Sequence, residues 1–440
     1  MARSMIMAAF LQAQNCSNYA ASWRHQQSSP GFLTAEYYQD IARTLEQGKF
    51  HLAFFDDRLA MPDRYGDDHA LAVTGGVRVV KLDPVPLMTA MGLATRHLGI
   101  GGTYSTTYHE PFHVARVFST LDHMVGGRAA WNVVTSFNDS EAKNFGLDRH
   151  LEHDLRYDRA DEFMEAVLGH WDSWSDDAIE FDRESHRFAD PAKVRRLAHA
   201  GSWFKTRGPF TVPRTPQGRP VIIQAGQSGR GRAFAARWAE LVFIIQPTVA
   251  ASRETYNGIK QAVTEAGRDP ASVRVLPAVY CGLGETREIA RERFAYAESL
   301  ADEADKLTLL SEVMNVDFAS LPMDEPLPEW VMTARGRSVD GTMPTLREFL
   351  AASNRGTVRE LPCLVGTAKD VADELEAWFT APACDGFVVA ATHVPGAYAE
   401  FVRSVVPELQ RRGLFHREYT GATLRDNLGF PRAQQDDWKL

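Results

Sequence analysis

The sequence predicts an α/β fold, and within that class a (β/α)8 barrel, the TIM-barrel architecture, with insertions. Short apolar runs alternate with amphipathic helical segments about eight times along the chain. The runs are apolar almost without interruption, as expected for parallel strands that are buried on both faces. A barrel with insertions accounts for the length of 440 residues, so we expect one domain over residues 1–440.

The first four strand–helix units precede residue 175. Strands are predicted at residues 5–12, 51–57, 100–107 and 128–136. Helices are predicted at residues 35–50, 84–99, 110–127 and 157–174. The last of these helices carries an apolar stripe at helical spacing, formed by Phe163, Val167 and Trp171.

The second half of the chain repeats the pattern with two interruptions. Strands are predicted at residues 220–226, 240–247, 273–284 and 385–391, and helices at 228–239, 249–267, 287–300, 368–380 and 398–413. Residues 179–219 are predicted to be a strand-rich insertion. Residues 301–360, rich in proline and mixed charges, are predicted to be a lid over one end of the barrel. The polar tail, 414–440, is expected to contribute few core residues.

Composition excludes several classes of protein. The net charge is -9 and no basic stripe occurs, so nucleic-acid binding is not expected. No run of about 18 apolar residues occurs, and the first residues lack the apolar core of a signal peptide. The four cysteines form no CxxC pair, which favours reduced thiols and a cytoplasmic enzyme.

Polar side chains stand where several predicted strands end. They are Asp56, Asp57, Thr103, Asn132, Thr135, Ser136, Gln224 and Gln246. The active site of a (β/α)8 barrel lies at the carboxyl ends of its strands. A single polar residue there could be satisfied by its neighbours or by water, but five strands that end this way favour a bound ligand.

The run QAGQSGRG, residues 224–231, joins a predicted strand to a predicted helix. Free backbone N–H groups at a helix start bind phosphate, which makes Gly226, Gln227 and Ser228 candidates, with Arg230 as a possible added charge. An ordinary capped helix start is an equal alternative. The run is neither GxGxxG nor a P-loop, so a Rossmann nicotinamide site is not expected.

Two further groups of residues are candidates for ligand contacts. His153 and Tyr157 share a helix face and suit a planar phosphate-bearing ligand, or form a surface pair. His150 and His153 lack further metal ligands and no HExxH occurs, so no metal site is expected. Four apolar side chains are predicted to point inward from the strands at 5–12, 51–57 and 240–247. They line an apolar pocket or fill the barrel, and they are Phe10, Phe54, Phe243 and Ile245.

Three long motifs resemble a known family. They read GGRAAWNVVTSFNDSEAKNFG, HLEHDLRYDRADEFMEAVLGHWDSW and VPRTPQGRPVIIQAGQSGRGRAFAARWAE. Together they resemble the bacterial-luciferase-like flavin monooxygenases, in particular the group with nitrilotriacetate, pristinamycin-synthase and dibenzothiophene-sulfone monooxygenases. The resemblance runs from about residue 5 to residue 430 and implies a (β/α)8 barrel that uses reduced FMN (FMNH2).

The resemblance also assigns roles to individual residues. Asp57 matches the Asp of the family's F-x-A-D strand end, although here Asp56 replaces the Ala. Thr103 matches a residue near the isoalloxazine ring, and Asn132 one near its pyrimidine edge. The full set of cofactor contacts expected is Asp57, Thr103, Asn132, Ser136, His153, Tyr157, Gln224, Gly226, Gln227 and Ser228. No catalytic residue is assigned.

The resemblance further implies partners and a reaction. A separate NAD(P)H-dependent flavin reductase would supply reduced FMN, and the enzyme would be a homodimer or homotetramer. One oxygen atom from O2 would enter an aromatic or heteroaromatic substrate, sulfone-like or otherwise organosulfur. Oxidative dehalogenation of an aromatic, N-oxidative cleavage of a chelate, a deazaflavin-dependent oxidoreductase, a metal-dependent hydrolase and a non-catalytic flavin-binding protein stay open as alternatives.

Overall fold

Parallel strands form a closed barrel in the computed structural model, which describes residues 3–12, 19–226, 229–332, 343–353 and 361–439. The strands in these ranges are β1 Ile6–Gln12, β2 Leu52–Asp56, β3 Gly99–Ser105, β4 Ala129–Val134, β5 Ile179–Asp182, β6 Arg187–Ala189, β7 His199–Ala200, β8 Lys205–Thr206, β9 Val221–Gln224, β10 Leu241–Ile244, β11 Arg274–Leu283, β12 Cys363–Gly366 and β13 Gly386–Ala390. Within the described ranges, eight of them pair in the order β1-β2-β3-β4-β9-β10-β11-β13, and β13 pairs with β1 again. The predicted (β/α)8 barrel is confirmed.

Helices follow the barrel strands and form the outer layer. They are α1 Ala35–Gln47, α2 Ala70–Gly75, α3 Pro84–Leu93, α4 Pro111–Met124, α5 Asp139–Asn144, α6 His153–Trp171, α7 Gly229–Trp238, α8 Val249–Glu265, α9 Arg287–Ser299, α10 Glu303–Met314, α11 Glu329–Met332, α12 Leu346–Ser353, α13 Ala368–Thr380, α14 Gly396–Arg411 and α15 Leu424–Leu428. Side-chain caps set the starts of several of them: Thr34 accepts the N–H of Tyr37, and Thr286 accepts that of Ile289.

Each barrel strand contributes to two cores, since successive side chains point to opposite faces. The inner core fills the barrel and includes Ala8, Leu52, Phe54, Ala130, Ile223, Leu241, Phe243, Leu276 and Val388. The outer core, between strands and helices, includes Met7, Ala53, Phe55, Ile100, Trp131, Ile222 and Phe387. Burial on both faces explains why the strands read as continuous apolar runs.

The first insertion lies between α6 and β9 and is strand-rich, as predicted. It contains two antiparallel hairpins, β5–β6 and β7–β8. The carboxylate of Glu162 on α6 accepts the backbone N–H groups of Trp203 and Phe204, at 2.9 and 2.7 Å. This side chain fastens the second hairpin to the barrel's outer layer.

The second insertion lies between α9 and β12 and carries α10, α11 and α12. Their apolar side chains form a small core of their own, which includes Leu310, Phe318, Leu327, Val331 and Leu346. Helix α10 and the residue after it reach segments that follow the barrel strands: Arg24, after β1, bonds Asp305 of α10 at 2.6 Å, and Asn315, just after α10, donates to Asp139 at 3.3 Å. The insertion therefore sits at the carboxyl end of the barrel, where a lid would lie.

The expectation that the tail adds few core residues is wrong. Leu424, Leu428 and Phe430 belong to the inner core. The N–H of Leu424 bonds the carbonyl of Gly127, just before β4. The tail thus closes the amino-terminal end of the barrel. Within the described residues, no helix is long and apolar enough to cross a membrane.

Candidate active site

The carboxyl ends of the early barrel strands present an inward-facing polar layer above the inner core. Asn132 on β4 continues the inward series that contains Ala130, and Thr103 lies opposite it on β3. Gln12 and Asp56 continue the inward series of β1 and β2, and the Gln12 amide bonds Asp56 at 3.2 Å. The structure therefore places Thr103 and Asn132 together, as the sequence predicts.

The pair Thr103–Asn132 leaves a buried hydrogen-bond acceptor free. The Thr103 hydroxyl donates to the carbonyl of Phe55 at 2.9 Å, so its oxygen must accept from Asn132. The Asn132 amide N–H donates to Thr103 Oγ1 at 2.8 Å, which fixes the orientation of the amide. Asn132 is 4% exposed, and its Oδ1 has no partner within the described residues. A buried acceptor without a partner is costly and suits a ligand that carries an N–H donor.

Ser136 follows β4 in a left-handed backbone conformation, with φ of 48°. Its hydroxyl donates to the Ser105 hydroxyl at 3.0 Å, which joins the ends of β3 and β4. The chain then enters α5, where the Glu141 carboxylate accepts the backbone N–H of Asn138 at 3.4 Å. Asn144 at the end of α5 donates to the carbonyl of Leu59 at 2.8 Å, so the polar run after β4 packs against the loop after β2.

Asp56 and Asp57 lie on different sides of the end of β2. Asp56 faces inward and is bonded by Lys81 at 3.0 Å and by Arg78 at 2.5 Å. Burial opposes ionisation of Asp56, but the positive charges of Lys81 and Arg78 outweigh it and lower its pKa. The sequence motif pointed to Asp57 and left Asp56 without a role.

Asp57 lines a cleft of about 390 Å3 beside the mouth, together with Lys81, Asp83, Tyr104 and His109. Burial raises the pKa of Asp57 to about 7, against the opposing charge of Lys81. His109 stacks on Tyr104 with ring centroids 4.5 Å apart, and its Nδ1 faces the Ser105 carbonyl at 3.0 Å. Burial lowers the pKa of His109, so its neutral form donates to that carbonyl and leaves Nε2 as an acceptor.

The predicted aromatic residues pack below the polar layer. Phe54 contacts Phe10 and Phe243, with ring centroids 5.5 and 4.9 Å apart. Phe54 and Phe243 are buried, whereas Phe10 and Ile245 are half-buried at the upper edge of the inner core. Phe54 and Phe243 thus form an apolar floor, and Phe10 and Ile245 are the two that face the mouth.

A second group of predicted residues lies at the start of α6 and the end of β9. Tyr157 is buried against Phe234 of α7, with centroids 5.6 Å apart, and His153 packs 5.2 Å from Tyr157. Gln224 lies one residue beyond Ile223, which pairs with Asn132 in the sheet. The end of β9 therefore lies beside the end of β4, but Gln224 points to the outer face of the barrel, since Ile223 before it belongs to the inner core.

The turn after β9 is tightly built. The Gln224 side-chain oxygen accepts the N–H of Gly226, and a Cβ at Gly226 would lie 2.8 Å from Gln224 Nε2 and 3.0 Å from the Cα of Gly231. Gln227 and Ser228 lie outside the described residues. Arg230 pairs with Asp158 and Asp161 on α6, so its charge is already compensated.

Among the residues that the structure describes, no three His, Cys, Asp or Glu side chains are placed to hold an ion. His150 instead contacts the Arg156 guanidinium at 2.7 Å. Around Asn132 the donor set consists of amides, hydroxyls and backbone groups, which suits an organic cofactor.

Comparison with known proteins identifies the class. Residues 15–386 match the model of the luciferase-like monooxygenases. The dibenzothiophene-sulfone monooxygenase of Rhodococcus erythropolis is 47% identical over 97% of each chain. Nitrilotriacetate monooxygenase component A of Aminobacter aminovorans is 39% identical over 93% of each chain. A riboflavin lyase structure with modified FMN and riboflavin is 30% identical, with a TM-score of 0.91 over 99% of this chain and 98% of that one.

The barrel, its polar mouth and these relatives define a flavin-dependent monooxygenase. The chain belongs to the luciferase-like monooxygenase family. The resemblance found in the three motifs is confirmed, and so is the prediction of a flavin cofactor. The contacts of individual residues with that cofactor stay predictions.

Proposed function

We propose that the enzyme uses reduced FMN to insert one oxygen atom from O2 into an aromatic or heteroaromatic organosulfur substrate, with a sulfone as the first candidate. A separate NAD(P)H-dependent flavin reductase supplies the reduced cofactor. The observation that carries the proposal is the buried Oδ1 of Asn132, which has no partner within the described residues, in a chain that is 47% identical over 97% of its length to a dibenzothiophene-sulfone monooxygenase.

The residues present fit a flavin. The pyrimidine edge of the isoalloxazine ring carries an imide N–H between two carbonyls, and Asn132 Oδ1 is a matching acceptor fixed by Thr103. The start of α7 at Gly229 is a helix N-terminus, whose first backbone N–H groups and dipole would suit a phosphate placed there. His153 and Tyr157, with Gln227 and Ser228, are proposed to hold the ribityl phosphate, and Ser136, Gln224 and Asp57 to border the ring.

Bound reduced flavin supplies the electrons that activate O2, while the protein binds, orients and excludes water. Thr103 fixes the Asn132 amide, so that its oxygen would accept the ring N–H and orient the flavin ring. Phe10 and Ile245 offer an apolar surface above the packed floor of Phe54 and Phe243. The insertion at the mouth is proposed to act as the lid that keeps this surface dry.

The charge pattern supports an apolar rather than a polyanionic substrate. A chelate with several carboxylates needs uncompensated cations near the reacting atoms. The cations near the end of β2 pair with acids: Arg78 and Lys81 with Asp56, and Arg58 with Glu141 and Glu312. The aromatic floor suits a flat, apolar ring system instead.

Anaerobic titration with reduced FMN tests the cofactor assignment. Wild-type protein is expected to bind at micromolar concentration. Asn132→Leu should weaken binding by about 5- to 150-fold, because a flavin N–H loses its acceptor at a cost of about 1–3 kcal/mol. Asn257→Leu, on the exposed face of α8, is the matched control. Absence of wild-type binding would refute the proposal, and an unchanged Asn132→Leu would refute the role of that residue.

A reductase-coupled substrate screen tests the reaction. Product mass should rise by one oxygen atom, and a sulfone should release sulfite; release of halide, or cleavage of a chelate, would indicate one of the alternative substrates. A parallel titration with a reduced deazaflavin tests the alternative that the enzyme is a deazaflavin-dependent oxidoreductase.

We also propose a cytoplasmic homodimer or homotetramer. The location is proposed because a nicotinamide-dependent reductase must reach the enzyme, and native mass measurement gives the oligomeric state.

A further inference from the structure

Charged side chains form a connected cluster at the mouth, on the side of β2. We name as the mouth cluster the cations Arg58, Arg78 and Lys81 with the carboxylates Asp56, Glu141 and Glu312. No side chain in it is more than 19% exposed. Within these six residues the positive and negative charges balance, which is the condition under which buried charges are tolerated.

Arg78 connects the two ends of the mouth cluster. Its Nη2 lies 2.5 Å from Asp56 Oδ2, and its Nη1 lies 3.5 Å from Glu312 Oε2. The other oxygen of Glu312 lies 3.7 Å from Nε of Arg58. A continuous chain of charge thus runs from the inward face of β2 to helix α10.

Helix α10 belongs to the second insertion, so the mouth cluster joins that insertion to the barrel. Asn138, after β4, adds a hydrogen bond to the Glu312 carbonyl at 3.4 Å. The loops after β2 and β4 and the insertion therefore meet at Glu312.

We propose that Arg78 and Glu312 are positioning residues that hold α10 across the barrel mouth, through the charge balance with Asp56, and so limit the access of water to reduced flavin. Loss of one carboxylate leaves a buried positive charge without compensation. Movement of α10 away from the mouth lets water solvate that charge. The consequence for the reaction rests on the proposed function, whereas the position of α10 does not.

Hydrogen exchange of the cofactor-free protein tests the position of α10. Glu312→Gln keeps the size of the side chain and removes its charge. Exchange of the α10 amides, residues 303–314, is expected to accelerate about tenfold or more, because local opening becomes more favourable. In the reductase-coupled reaction the same variant should release at least about twice as much hydrogen peroxide per reduced FMN consumed, with little change in the KM for substrate.

A double variant separates charge balance from simple damage. Arg78→Met with Glu312→Gln removes one charge of each sign, so exchange and peroxide release should return part of the way towards wild type. Asp324→Asn, an exposed carboxylate paired with Arg347 in the same insertion, is the control and should change neither quantity.

Two outcomes would overturn the proposal: unchanged exchange of the α10 amides in Glu312→Gln, or exchange in the double variant that is at least as fast as in Glu312→Gln alone. If either single variant fails to fold, the double variant and Glu312→Asp still allow the exchange measurement. If wild-type protein binds no reduced FMN, the proposed function fails while the exchange result on α10 still stands.

Discussion

At the scale of single residues, Asp57 has an unusual ionisation. Burial raises its pKa to about 7, and the neighbouring charge of Asp56 adds to the shift, against the opposing charge of Lys81. The carboxyl group is therefore protonated in the folded protein below neutral pH. In the unfolded chain it ionises at its ordinary, lower pKa. Folding is accordingly coupled to the uptake of a proton by Asp57 between its unfolded and folded pKa values.

The sign of this coupling gives a prediction for Asp57→Asn. An acid whose pKa is raised by folding contributes stability at low pH that is lost as pH rises through the folded pKa, here about 7. Asn mimics the protonated form, so the variant should match wild type near pH 4 and melt at higher temperature above pH 7. Thermal melts from pH 4 to 9 measure the difference, with exposed Asp40→Asn as control. A difference independent of pH would contradict the assignment.

The sequence predicts part of this site from periodicity alone. Thr103 and Asn132 were found because polar residues at two strand ends interrupt apolar runs. The same two-residue period, counted from Phe54, places Asp56 inward. The family motif instead assigns the cofactor contact to Asp57. Glu312 carries no such signal, since it lies in an insertion and meets Arg78 only through the folding of distant segments.

At the scale of elements, Glu162 fastens the β7–β8 hairpin to α6. Its carboxylate accepts two backbone N–H groups and faces His199 Nε2 at 3.1 Å. Glu162→Ala leaves these donors without a partner, so we expect a loss of about 1–3 kcal/mol in stability. Limited proteolysis should cut near residues 199–206 faster in this variant. Glu165→Ala on the same helix, which loses only an exposed pair with Arg237, should leave the cleavage rate unchanged.

The elements of the strand–helix repeat were predictable, including the four-residue strands β9 and β10, whereas α5 and β12 outside the barrel repeat were not. Helices with a full apolar stripe, such as α1 and α14, have a strong periodic pattern. Helix α5 spans six residues and β12 four, too few for periodicity to identify. The capping box between Asn138 and Glu141 was the available signal for α5. Strand β12 forms because it pairs with the second half of β11, a non-local contact.

At the scale of the whole molecule, the two ends of the barrel are covered by segments from outside the strand–helix repeat. The second insertion lies at the carboxyl end, and the tail seals the amino end. Arg425 in the tail makes a bidentate pair with Glu240, at 2.6 and 2.9 Å, just before β10. The sequence of the tail is mostly polar, because its apolar residues are few and lie between charged residues. These apolar residues become buried only in the folded protein, because they pack into the amino-terminal end of the closed barrel.

Leu424→Ala tests whether the tail is part of the barrel's cooperative core. Leu424 is fully buried, and its side chain fills the space that glycine leaves at Gly99. Truncation to Ala should cost about 2–5 kcal/mol through lost apolar contact and a residual cavity. Because Leu424 packs among residues of the inner core, urea unfolding followed by tryptophan fluorescence and by far-UV circular dichroism should shift together. Leu93→Ala, at a side chain that is 60% exposed, should shift neither curve. An early, separate transition in Leu424→Ala would instead show that the barrel folds without its seal.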